Sequence, residues 1–154
     1  MLLQENVIYV PSFEGKYKFL TNFWPSRLYY EGMEYPSVEH AYQAAKTTDR
    51  QLRQRIASCK TPGEARQLGK KVPLRPDWSQ IRLQVMEELV REKFTANRPL
   101  GAGLRSTHPA TIVMGNLSGD RFWGVHNGTG ENRLGKILMK VRDELLKEEP
   151  PTTA

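Results

Sequence analysis

Within the stretch Tyr35-Pro36-Ser37-Val38-Glu39-His40-Ala41-Tyr42-Gln43-Ala44-Ala45-Lys46, Glu39, Gln43 and Lys46 recur at i, i+4 and i+7. In a helix that spacing puts a carboxylate, an amide and an amine on one stripe. A carboxylate held on a stiff element beside apolar side chains can deliver a proton or, ionised, support a developing positive charge. An amine two turns away can hold an anion or, kept neutral by burial, act as a nucleophile. The same residues also fit an ordinary amphipathic helix whose charges are solvated.

The elements that must position this stripe are legible around it. Pro36 lacks a backbone donor and Ser37 can accept from first-turn amides, so a helix is expected to begin there. Val38, Ala41, Tyr42 and Ala45 form its core-facing stripe, with the ionisable stripe about 110° round. Residues 1 to 34 read as short strands and turns in a small antiparallel sheet: Val7-Ile8-Tyr9-Val10, Tyr17-Lys18-Phe19-Leu20 and Arg27-Leu28-Tyr29-Tyr30, with turns at Glu14-Gly15 and Glu31-Gly32. Thr48 to Ser58 predicts a second helix, and Thr61-Pro62-Gly63-Glu64 starts a third through a capping box. Asp77 is expected to cap the longest helix, in which Trp78, Ile81, Val85, Met86, Leu89 and Phe94 recur to about Ala96. A short helix over 98 to 106, an apolar strand over Ala110 to Gly115 and a second strand through Leu117 to Val125 follow. Leu134, Ile137, Leu138, Val141 and Leu145 mark the apolar face of a last helix. The fold class is α+β and mostly helical: one domain over 1–149 with a small antiparallel sheet against several helices, and a flexible tail over 150–154.

Three further stretches carry recognition chemistry. Asn22-Phe23-Trp24 offers an amide that can bond a base or ribose edge and aromatic faces that can stack on one; the alternative is a core pair beside a turn. Trp78, an indole at a helix start near basic residues, can stack on a base or serve as a hydrophobic anchor. His126-Asn127-Gly128-Thr129-Gly130-Glu131-Asn132-Arg133 is a glycine-rich loop running into a helix, an arrangement whose free amides and dipole can hold phosphate. It lacks the P-loop lysine and the dinucleotide spacing. His40, His108 and His126 show no ligand spacing, so no metal and no cofactor is expected; His40 reads as structural and His126, beside Trp123, as the functional one.

The segments Phe19-Leu20-Thr21-Asn22-Phe23-Trp24-Pro25 and Gly32-Met33-Glu34-Tyr35-Pro36-Ser37-Val38-Glu39-His40-Ala41-Tyr42-Gln43 together resemble the NADAR family, also called YbiA-like. Asp120-Arg121-Phe122-Trp123-Gly124, followed by the glycine loop to Leu134-Gly135, resembles that family's second signature, with Val125-His126 where the family commonly has glycine or aspartate. The resemblance covers nearly the whole chain. It implies an N-glycosidase in which Glu39 is catalytic and Trp78 an active-site tryptophan. Cleavage of a ribosyl C1–N bond passes through an oxocarbenium-like state, which a carboxylate stabilises while a proton reaches the departing nitrogen or a base activates water. Glu39 and Asp120 fit those two tasks in either order. Lys46 binds phosphate or ribose, or captures the opened C1 aldehyde as a Schiff base. Asn22, Phe23, Trp24, Tyr42, Gln43, Trp78, Trp123, Gly124, His126, Gly128, Gly130, Asn132 and Arg133 are the expected substrate-binding residues.

The resemblance implies ADP-ribose or ribosylated-base substrates: ADP-ribosylated guanine in nucleic acid, or early riboflavin-pathway ribosylaminopyrimidine phosphates. Charge leans toward the first. The net charge is +6, and from Arg50 to Arg75 eight lysines and arginines face only Glu64, which concentrates it in the segment 50–75. Such a block attracts phosphates of DNA, RNA or a nucleotide, or simply aids solubility; it has no interleaved aromatics for single-strand stacking. A non-catalytic reader of ADP-ribose and a plain DNA-binding accessory are the competing classes. The single cysteine, Cys59, excludes an internal disulfide, and no apolar run reaches membrane length, so no membrane partner and a cytoplasmic location are expected.

Overall fold

The computed structural model describes residues 6–11 and 15–148. In chain order its elements are β1 (Val7–Val10), a 3-10 turn (Lys18–Leu20), β2 (Leu28–Tyr30), β3 (Met33–Tyr35), α1 (Val38–Ala45), α2 (Arg50–Ala57), α3 (Pro62–Gly69), α4 (Trp78–Ala96), α5 (Arg98–Ser106), β4 (Thr111–Met114) and α6 (Arg133–Lys147). Helices dominate and the strands are short, which is the expected α+β class. The expected boundary between residues 149 and 150 lies outside the described residues. Contacts divide the chain into two compact units, one of Asn22–Asn97 and one of Met1–Thr21 with Arg98–Ala154.

In the Asn22–Asn97 unit, β2 and β3 pair antiparallel about the turn Glu31-Gly32, whose φ values of 47° and 82° are the left-handed pair that a two-residue hairpin requires. Ser37 caps α1 by accepting from the His40 amide. All eight residues of α1 are buried, so it is the unit's central rod and not the half-exposed helix its stripes suggested. α2 begins at Arg50, two residues later than expected, because the Asp49 carboxylate accepts from the Gln51 and Leu52 amides. The capping box of α3 forms: Thr61 accepts from the Glu64 amide, and Glu64 reaches back to the amide of Lys60. Asp77 does not cap α4 with its side chain, since Arg75 binds both carboxylate oxygens.

In the other unit, β1 pairs parallel with β4, with Val7 opposite Thr111 and Val10 opposite Met114. This corrects the expectation that β1 joins an antiparallel sheet of the first 34 residues. Residues 17–20 do not extend into a strand; the Leu20 and Thr21 amides bond back to the Tyr17 and Lys18 carbonyls and close a 3-10 turn. Of the expected Glu14-Gly15 turn, Glu14 lies outside the described residues, and Gly15 has φ +87°. Leu117 to Val125 forms no strand either, only a bridge from Gly115 to Val125. Its amides are diverted: Asp120 N–H donates to Asn116 Oδ1, and Phe122 and Trp123 N–H donate to Asp120 Oδ1. α6 packs on β4 and α5 with Leu134, Ile137, Leu138, Val141 and Leu145 buried, as its periodicity requires.

Lys93 lies on the buried face of α4, 1% exposed, with Nζ 4.9 Å from the Phe94 ring centre. Burial pushes its ammonium down to about 7. The unfolded chain holds that proton up to the ordinary lysine value, so between the two pKa values the unfolded state binds more protons and stability rises with pH. Denaturation midpoints are therefore expected to climb from pH 7 to pH 9, by up to about 1.4 kcal/mol per pH unit. The Lys93→Met variant is expected to lose that slope; an unchanged slope would show that Lys93 does not titrate in this window.

Candidate functional site

Two clusters hold the residues singled out in the sequence, one in each unit. In the Asn22–Asn97 unit the centre is Glu39, 4% exposed. Its carboxylate accepts from Gln43 Nε2 at 2.9 Å and from Arg66 Nε at 3.0 Å, both on Oε1. Among the described residues no donor bonds Oε2. Two donors converging on one oxygen suit an ionised carboxylate and leave the other oxygen as its working face. The Glu39 amide donates to the Asn22 carbonyl, which anchors the Asn22-Phe23-Trp24 loop to the first turn of α1.

Helical spacing brings Glu39 and Gln43 together, but α3 supplies the third member. Arg66 comes within reach because α3 lies close along α1: a Cβ at Gly69 would overlap the Gln43 side chain. Phe23 underlies Arg66, its ring centre 4.8 Å from the guanidinium carbon. Gln43 Oε1 is buried without a partner. Tyr42 and Trp78 pack ring to ring at 5.1 Å and 56°, and Lys46 Nζ stands 5.9 Å from the Tyr42 ring centre. Burial lowers the Lys46 pKa; the Glu39 charge opposes this, and the Arg66 and Lys70 charges add to it.

His40 serves the scaffold. Its Nε2 is 3.0 Å from the Cys59 carbonyl, which can only accept, so Nε2 carries the proton and Nδ1 accepts from the Ser37 hydroxyl at 2.7 Å. Burial lowers its pKa, in keeping with a neutral ring.

The second cluster is the loop from Asn116 to Arg133 in the other unit. Asp120 staples it through the two amides on Oδ1. Trp123 meets Phe122 edge to face at 4.8 Å, and Arg133 Nη2 pairs with Glu131 at 3.0 Å. His126 Nδ1 lies 3.0 Å from the Asn116 carbonyl. Gly124 and Gly130 are places of close approach, where a Cβ would overlap the Met114 and Gly124 carbonyls respectively; Gly128 instead provides φ +81° in open space. The Asn132 side chain acts as a piece of strand, accepting from Met114 N–H and donating to the Ile112 carbonyl, both at 2.9 Å.

The expected phosphate cradle at the start of α6 is not formed by free amides. Those of Glu131, Asn132, Arg133 and Leu134 donate to the carbonyls of Arg121, Gly124, Phe122 and Trp123. These four donors, which could otherwise face an anion, are spent inside the loop. Among the described residues, no three of histidine, cysteine, aspartate and glutamate come together as metal ligands. No described helix is long and apolar enough to cross a membrane.

Arg66 is the residue that sequence reasoning missed. It stood in the basic segment as one charge among eight. Its only local signal was phase, because with Thr61 as N-cap, Arg66 and Gly69 are three apart and share a face of α3.

A family model described as NADAR domain matches residues 9–146. A riboflavin biosynthesis protein of Vibrio vulnificus is 37% identical over 151 residues, 96% of this chain; the match spans only 41% of that protein's length. The N-glycosidase YbiA of Escherichia coli is 34% identical over 153 residues, covering 96% of this chain and 94% of that protein. The NMR structure of the Escherichia coli protein YbiA superposes with a TM-score of 0.85 at 32% identity, covering 99% of this chain and 92% of that one.

The Glu39–Arg66 pair is half desolvated: the carboxylate side chain is 5% exposed and the guanidinium side chain 43%. A double-mutant cycle with Glu39→Gln and Arg66→Met, read by urea denaturation, is expected to give a coupling of about 1–2 kcal/mol. A coupling near zero would show that the pair does not hold the two helices.

Proposed function

The chain belongs to the NADAR domain family, and from that premise we propose that it hydrolyses the C1–N bond of a phosphorylated N-riboside with Glu39 as the principal carboxylate. That it is a hydrolase of N-glycosyl compounds follows from relatives named N-glycosidase. One observation supports the choice of Glu39 above all others: a buried carboxylate on the central helix has one oxygen fixed by Gln43 and Arg66 and the other uncommitted among the described residues.

In the reaction the C1–N bond breaks with its electron pair going to the base, and positive charge spreads over C1 and the ring oxygen. Glu39 Oε2 faces that charge, and its position costs no reorganisation because Oε1 is already clamped. A proton reaches the departing nitrogen, and water adds its oxygen to C1 and gives up its proton to a carboxylate. Asp120, which belongs to the other unit, is carried as the second candidate carboxylate and is tested by its own substitution. Lys46 acts as a binding residue, with burial the main cause that lowers its pKa. Tyr42, Trp78 and Phe23 supply aromatic faces for the base.

For the substrate, we infer ADP-ribosylated guanine in nucleic acid from the basic segment. Arg50, Arg55, Lys60, Lys70 and Lys71 are exposed there, and none is ion-paired with a described residue. The riboflavin biosynthesis protein among the relatives favours a second substrate, a ribosylaminopyrimidine phosphate. Both compounds are to be assayed with the parent chain and with Glu39→Gln and Asp120→Asn. Glu39→Gln is expected to lower kcat by at least about 100-fold. Asp120→Asn is also expected to lower it, by about 10-fold or more. Unchanged turnover in both variants would overturn the residue assignments, and turnover of only one compound decides the substrate.

A further inference from the structure

We propose that Lys46, Arg66 and Lys70 form the seat of the substrate's phosphate, at the shared C-terminal end of α1 and α3 beside Glu39. This deepens the reading of Glu39 as the reacting carboxylate and rests on it.

The seat follows from how the two helices are matched. Glu39 meets Arg66, and Gln43 meets Gly69, so α1 and α3 run in the same direction with their residues in step. Lys46 is the C-cap of α1, three residues beyond Gln43, and Lys70 is the C-cap of α3, one residue beyond Gly69. The in-step packing therefore delivers both C-caps to one end of the pair. Both helices present their negative dipole ends there, which hold cations in place before any ligand arrives.

Charge supports the same conclusion. Arg66 bonds the Glu39 carboxylate, and Lys46 stands in the fields of Glu39, Arg66 and Lys70, so three cations and one carboxylate are grouped here. Lys46 feels the unfavourable fields of both Arg66 and Lys70. Lys70 is exposed and is not ion-paired with a described residue. Arg66 uses only Nε on Glu39, so its terminal nitrogens keep their fork for an anion. The surplus of two positive charges matches a phosphate monoester, which carries about −1.5 to −2 near neutral pH, or a diphosphate. With the amides of Glu131 to Leu134 bonded inside the loop, this cluster of side-chain charges is the better-built anion site. Arg66 thus has two tasks, orienting Glu39 and gripping the phosphate that anchors the sugar.

Inorganic phosphate and inorganic pyrophosphate are the probes, titrated into the full chain and followed by amide resonances. Shifts are expected at Lys46, Arg66 and Lys70, weakening with added salt. Lys70→Gln is expected to loosen pyrophosphate about tenfold, whereas Lys136→Gln, which removes an equal charge from α6, leaves it unchanged. Glu39→Gln is expected to tighten it, since a nearby negative charge is gone. In kinetics, Lys70→Gln lowers the ratio of kcat/KM for a phosphorylated riboside to that for its dephosphorylated form. A larger loss with the riboside 5-phosphate identifies a monoester, and a larger loss with the ADP-ribosyl compound identifies a diphosphate.

Unchanged pyrophosphate affinity in Lys70→Gln, or an equal loss in Lys136→Gln, overturns the seat. If Glu39→Gln keeps full turnover while Lys70→Gln loses pyrophosphate, the catalytic assignment fails and the seat stands.

Discussion

A carboxylate taken almost wholly out of water must be met by donors, and the Asn22–Asn97 unit is arranged around that requirement at Glu39. Gln43 is supplied by helical spacing within α1, but Arg66 must come from another helix, so α3 is obliged to lie along α1. Close approach then demands Gly69, because any side chain there would occupy the space of the Gln43 amide. The phase of α3 is set by Thr61, whose hydroxyl cap fixes where the helix starts and hence which way Arg66 points. Phe23 completes the arrangement by presenting a ring face to the guanidinium. One buried charge thus explains a glycine, a cap and an aromatic that are unremarked in the chain.

The same principle organises the other unit with neutral groups. The segment after β4 has too few strand partners for its amides, and short polar side chains take their place: Asn116, Asp120 and Asn132 each bond backbone groups. Asn132 is the most consequential, since it bonds both Ile112 and Met114 of β4 and holds the start of α6 against that strand. Gly135 lets the first turn of α6 approach, with the Ile112 carbonyl where a Cβ would otherwise lie. The amides of Glu131 to Leu134 are thereby bonded within the loop and not to an external anion.

With those amides bonded within the loop, the backbone at the start of α6 has four fewer donors for an anion. Side-chain cations stand elsewhere, with Lys46 and Lys70 at the C-caps of α1 and α3 and Arg66 in the last turn of α3. The YbiA structure superposes with a TM-score of 0.85, so the overall fold is shared with that protein.

Local physics made much of the molecule legible without coordinates. Ser37 and Thr61 announce their helices because a hydroxyl before a helical run has one good use, and Leu134 to Leu145 declare a buried face by period alone. Glu39 was legible, through its spacing and its motif, as a carboxylate on a helix stripe, and it stands buried on α1. What failed were inferences that needed a distant partner. β1 pairs with a strand about a hundred residues away, Asp77 is claimed by Arg75, and the amides of the glycine loop are claimed by Arg121 to Gly124. The chain by itself determined where helices begin, which faces are apolar and which carboxylate stands on the central rod, because caps and periodicity act over a few residues. Only the tertiary structure decided that Arg66 clamps that carboxylate and that Gly69 meets Gln43, because those contacts depend on how closely and in what register two helices pack.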